Sequence, residues 1–70
     1  MSATAWLQCG QALERLRRFD EALAAFERLA ALRPDDAQAH FSRSQMLQRR
    51  GRLADALHAN ERVLALCADD

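Results

Sequence analysis

The chain has no lysine and no tyrosine, one proline, two glycines and no net charge. So little proline and glycine excludes a turn-rich β fold and a low-complexity linker. No apolar run approaches the roughly 20 residues that span a bilayer. The opening residues Met1–Trp6 carry neither a basic region nor an apolar core, so no signal peptide is read there and the expected location is cytoplasmic. Zero net charge excludes long-range attraction to nucleic acid or to an anionic membrane. The only aromatics are Trp6, Phe19, Phe26 and Phe41, which is too few to interleave with basic residues as a base-stacking platform. The two cysteines, Cys9 and Cys67, stand far apart and read as free thiols.

What the chain does have is alanine and leucine, within a hydrophobic half of its 70 residues. Both favour helix. It also has a repeat. Sliding the sequence by 34 residues aligns 3–36 with 37–70 without a gap, and 15 of the 34 pairs are identical. Among them are Gln11/Gln45, Leu13/Leu47, Arg15/Arg49, Ala22/Ala56, Leu23/Leu57 and Glu27/Glu61. A period in the range of about 20–50 residues means a helical array or solenoid. One domain is expected over 1–70, with repeat one at 3–36 and repeat two at 37–70.

Each repeat divides into two helices. Trp6, Cys9, Gly10, Leu13 and Leu16 recur at spacings of three and four, which is one helical face. Ser2 is the expected N-cap. After a break near Arg18–Phe19, Asp20 stands as the expected cap of a second helix, and Ala22, Leu23, Phe26, Leu29, Ala30 and Leu32 form its stripe. Pro34 ends that helix, and Asp35 and Asp36 cap the next. In the second repeat Ala39, Ser44 and Leu47 carry the first face. Gly51 sits at its end, where a left-handed residue is wanted. Leu53, Ala56, Leu57, Val63, Leu64 and Leu66 carry the second face. The expected fold class is all-α, with four helices in antiparallel hairpins stacked as an α-solenoid.

The period and the residue positions resemble the tetratricopeptide repeat, over all but the first two residues. That family places Trp, Leu, Gly and Tyr on the first helix, Ala, Phe and Ala on the second, and then Pro. Repeat one supplies Trp6, Gly10, Ala22, Phe26 and Pro34 in register. Cys9, Leu13 and Leu29 are apolar substitutes at the other positions. In repeat two Ala56 fits and Ser44 is an acceptable small residue. His40 replaces the tryptophan, Arg43 the leucine, Asn60 the phenylalanine and Ala68 the proline. A buried unpaired arginine would be very costly, so Arg43 is expected to reach water or a carboxylate. Asn60 stands where the family packs against a following repeat.

The resemblance implies a protein-binding scaffold and no enzyme. Carried over by position, a concave groove would be lined by Leu7, Gln11, Glu14 and Arg15 from repeat one and by Phe41, Gln45, Gln48 and Arg49 from repeat two. Arginine holds carboxylates bidentately, so an acidic or C-terminal peptide is the expected ligand. The Lys and Asn clamp of chaperone-binding relatives is not reproduced, since Gln11 and Gln45 stand at the Asn position and lysine is missing. Two repeats are fewer than the usual three or so. The stripe Leu53, Leu57, Val63 and Leu64 is therefore expected to be covered, either by a second copy or by the rest of a parent protein. Self-association is thus the alternative function, and an accessory segment of a larger enzyme is another.

Other chemistry is not indicated. The clusters Arg15/Arg17/Arg18 and Arg49/Arg50/Arg52 lie at helix ends beside acids and read as dipole-complementing, solvated charge. His40, His58, Cys9 and Cys67 form no closely spaced metal-ligand pair, so no metal and no cofactor is expected. Ser42 and Ser44 lie near His40, but there is no nucleophile elbow and no glycine-rich phosphate loop.

Overall fold

The computed structural model describes residues 2–68 and is built from four helices: α1 (Ala3–Arg15), α2 (Phe19–Leu32), α3 (Ala37–Arg49) and α4 (Leu53–Ala68). Met1 lies outside the described residues. So do Asp69 and Asp70, which the repeat alignment pairs with Asp35 and Asp36. Sequential helices pack on one another, α1 on α2, α2 on α3 and α3 on α4. The Cα trace fills a slab of 34 × 28 × 15 Å. This is the all-α hairpin stack that the 34-residue period implies.

The caps explain where the helices start. Ser2 Oγ accepts from the Ala5 N–H at 3.2 Å, and Asp36 Oδ1 accepts from the Gln38 N–H at 3.0 Å. Each takes up a backbone donor that a helix start leaves unpaired. Asp20 does not cap α2. That helix begins earlier, at Phe19, with Arg18 at the cap position and no side-chain cap bond. Asp20 sits inside the first turn, where a carboxylate suits the positive end of the dipole, and pairs with Arg50, the residue just past α3, at 2.6 Å.

The reason lies in how α1 ends. The Arg18 N–H donates to the Leu13 carbonyl at 2.9 Å and the Arg17 N–H to the Glu14 carbonyl at 3.0 Å. This is a Schellman closure, and it needs a left-handed residue just past the cap. Arg17 takes that conformation, with φ +60°. One repeat later, Arg52 and Gly51 close α3 onto Leu47 and Gln48 in the same pattern, with Gly51 at φ +77°. The closure uses so few residues that α2 starts at once. It also stores strain at Arg17, because a Cβ is unfavourable there. Arg17→Gly is expected to raise stability by about 0.5–1 kcal/mol, after allowing for the extra freedom of glycine in the unfolded chain. Urea denaturation followed by circular dichroism checks this, with an unchanged or lower midpoint as the contrary result.

The core is one cluster threaded through α2. Ala22, Leu23, Phe26, Leu29 and Ala30 of α2 meet Ala39, Met46 and Leu47 of α3 and Ala56 and Ala59 of α4, with Trp6, Leu7 and Leu13 of α1 half-buried against them. Besides Leu53, Leu57 and Leu64 on α4, two residues expected on apolar faces are not covered. Leu16 is 66% exposed and Leu32 54% exposed. Leu16 follows the helix, in the turn, and Leu32 is the last residue of α2, so neither has a neighbouring helix over it.

The polar substitutions of repeat two are accommodated in different ways. A Cβ added at Gly10 would lie 2.5 Å from Cε1 of Phe26, so glycine is required where that ring crosses α1. The register partners of this pair are Ser44 and Asn60, and Ser44 Oγ donates to Asn60 Oδ1 at 2.7 Å. A ring packed on a glycine is thus exchanged for a hydrogen bond. Asn60 does not stand as an unmatched residue awaiting another repeat. His40 Nε2 donates to the Pro34 carbonyl at 2.8 Å, and its buried Nδ1 has no partner among the described residues. Arg43 is only half-buried and keeps access to water.

Candidate functional site

The first helices of the two hairpins, α1 and α3, bring their C-terminal ends to one cleft. It has a volume of about 450 Å³ and is lined by Gln11, Glu14, Arg15, Arg17, Phe19 and Arg49. A second cleft of about 310 Å³, lined by Glu14, Gln45, Gln48 and Arg49, shares two of these residues and so adjoins it. Six of the eight groove residues expected from position therefore come together: Gln11, Glu14, Arg15, Gln45, Gln48 and Arg49. Leu7 does not line either cleft but is half-buried against the core. Phe41 also lies off them, and is 48% exposed.

Two lining residues, Arg17 and Phe19, were not among those expected. Arg17 reaches the cleft because it turns left-handed at the end of α1. Phe19 reaches it as the first residue of α2. Both positions depend on the tight closure between the helices, which hydrophobic spacing does not report. The one available signal was the register, since Arg17 aligns with Gly51.

The six arginines at the ends of α1 and α3 and in the turns that follow divide into two groups. Arg18, Arg50 and Arg52 are held by carboxylates, in the pairs Arg18–Glu21, Arg50–Asp20 and Arg52–Asp55 at 2.6–2.9 Å. Arg15, Arg17 and Arg49 have no carboxylate within pairing distance among the described residues, and these are the three that line the cleft. Against them stands one carboxylate, Glu14. The C-terminal ends of α1 and α3 each add roughly half a negative charge. That offsets part of the excess, and the cleft remains positive. Arg49 lies over the Phe19 ring, 5.3 Å from its centroid. Such stacking uses the face of a guanidinium and leaves its edge N–H donors for a planar acceptor.

Gln11, Gln45 and Gln48 add amides that both donate and accept, as needed to meet the backbone of an extended segment. Among the described residues no three His, Cys, Asp or Glu side chains converge as a metal site, and no helix is long and apolar enough to cross a membrane. Cys9 and Cys67 are unpaired.

Comparison with known proteins agrees with the helical-repeat fold. The family model described as Tetratricopeptide repeat matches residues 7–70. A comparison with curated proteins finds no match. Tetratricopeptide repeats are in general protein–protein interaction modules and typically non-catalytic scaffolds. With two stacked hairpins, the family's small residue at Gly10 beneath Phe26, and a family match over nearly its whole length, the chain belongs to the tetratricopeptide repeat family.

Proposed function

We propose that this chain is an interaction scaffold, acting as one domain of two repeats over 3–36 and 37–70, that captures an acidic segment or a free C-terminal carboxylate of a partner protein. The capture site is the cleft between the ends of α1 and α3. The observation that carries the reading is the trio Arg15, Arg17 and Arg49, left without carboxylate partners around one cleft while neighbouring arginines are paired. Phe41, exposed on α3, serves as an apolar contact beside the cleft, and Leu7 supports the wall from beneath. A cytoplasmic setting is in keeping with two unpaired thiols.

The test is a titration with a short acidic peptide bearing a free carboxylate. A charge-assisted hydrogen bond is worth roughly 1.5–3 kcal/mol, less where solvent screens it. The Arg15→Ala, Arg49→Ala double variant is therefore expected to bind at least about tenfold more weakly. Raising the salt concentration should weaken the wild type more than the variant. Equal affinity of the two proteins would remove these arginines from the site.

A second reading, self-association through Leu53, Leu57, Val63 and Leu64, is favoured by exposure. Leu57 and Leu64 are 60% and 68% exposed, and Leu53 is equally uncovered, while Val63 is half-buried. Soluble chains rarely leave large apolar side chains clustered in water without a partner.

A further inference from the structure

The interface between the two hairpins shows what α4 lacks. In that interface α3 lies on α2. Leu23 and Ala30 of α2 and Ala39 and Met46 of α3 are all buried in the cluster that these helices share, the last two completely. One edge is closed by the ion pair of Arg50 with Asp20. Shifting every position by 34 residues gives the faces that have no neighbour. On α4 the counterparts of Leu23 and Ala30 are Leu57 and Leu64, and both are exposed. Beside α1 the counterparts of Ala39 and Met46 are Ala5, now half-buried, and Ala12, now exposed. The two open faces are thus the two halves of one interface, and each repeats a half that is filled inside the chain.

The edge charges have changed together. The counterpart of Arg50 is Leu16, and the counterpart of Asp20 is Ala54. Had only one been exchanged, closing the interface would leave an edge charge without its partner, a cost of at most about 1 kcal/mol, roughly fivefold in affinity, where the edge stays open to water. Both are apolar, and Leu16 lies uncovered in the turn after α1.

We propose that α1 of a second copy seats on the outer face of α4, in the way α3 seats on α2, with Leu16 of one copy meeting Ala54 of the next. This rests on the self-association reading and adds its geometry. The contact joins two different faces, so it is heterologous and continues into a ring or an open stack instead of stopping at a dimer. It leaves the cleft between α1 and α3 outside the contact, so failure of the peptide reading does not affect it.

Sedimentation over a range of concentrations tests the geometry by charge exchange. Wild-type mass is expected to rise past that of a dimer. Leu16→Arg or Ala54→Asp alone should raise the concentration needed by roughly threefold to fivefold, because each puts a lone charge at the edge of the contact. The two substitutions together in one chain should restore assembly by recreating the ion pair of the internal interface. An equimolar mixture of the two single variants should assemble better than either alone. Both positions are exposed in one copy, so circular dichroism should show helicity unchanged in every variant. A mass that stops at the dimer and ignores both substitutions would overturn the head-to-tail contact while self-association survives, as expected if α4 meets α4. A wild-type monomer at all concentrations would overturn both, and would leave the α4 face to a different protein.

Discussion

Phe26→Ala is expected to unfold much of the chain at room temperature. Phe26 is 1% exposed, sits at the centre of the only large cluster among the described residues, and lies against Gly10 of α1. Emptying such a site costs about 3–5 kcal/mol. A domain of this size has about 4–10 kcal/mol in total. One side chain therefore carries a large part of what holds the two hairpins together. A urea or thermal transition followed at the helical circular dichroism band gives the result directly. Asn60→Ala, at the register-equivalent position, is the control. It removes one hydrogen-bond partner from a half-buried site and should cost about 1–2 kcal/mol. Similar losses at both positions would show that the first hairpin is not the better packed one.

Gly10→Ser is the second large effect. Its Cβ would fall 2.5 Å from the Phe26 ring, and that ring is enclosed by core and cannot swing away. Overpacking of this kind costs about 1–3 kcal/mol. Replacing a mid-helix glycine returns at most about 1 kcal/mol of backbone entropy, so the clash wins. The second repeat says how the clash is relieved, because it holds serine and asparagine at the same two positions, joined by a 2.7 Å hydrogen bond. Adding Phe26→Asn to Gly10→Ser should thus be less damaging than the sum of the two single changes, by about 1–3 kcal/mol of coupling. Strict additivity would mean that the glycine–phenylalanine pair and the serine–asparagine pair are not alternative solutions to one packing problem.

These pairs also mark where sequence reading reached its limit. The 34-residue register, the four helices, the caps at Ser2 and Asp36 and the left-handed Gly51 were all legible, because each is set by local spacing or by one residue's backbone preference. Leu16 and Leu32 satisfied the apolar spacing of a helix and still face water, because periodicity states which residues share a face and not whether anything covers it. The start of α2 was misplaced because an arginine adopts the left-handed turn in repeat one where glycine does so in repeat two. Propensity does not favour that choice. Asn60 read as a polar intruder because its partner lies 16 residues away, on another helix.

The groove shows the same division. Position in the repeat identified the glutamines and arginines along α1 and α3. It did not separate Arg15 and Arg49 from Arg18, Arg50 and Arg52, which carry the same charge in the same short segments. Only the pairing geometry does so. The paired arginines are spent on helix starts and on the joint between hairpins. Arg15 and Arg49, with Arg17 and the stacking face of Phe19, line the cleft without a carboxylate partner among the described residues.

A proton–nitrogen correlation spectrum, recorded while a short acidic peptide with a free carboxylate is added to the wild-type chain, tests the proposed function most directly. The expected result is saturable shifts at the amides and guanidinium groups of Arg15, Arg17 and Arg49 and at the side-chain amides of Gln11 and Gln45. Those of Leu57 and Leu64 on α4 should stay in place, and the amidated, uncharged version of the peptide should cause no comparable change. Shifts confined to α4, or equal binding of the uncharged peptide, would contradict the cleft between α1 and α3 as a carboxylate-binding site.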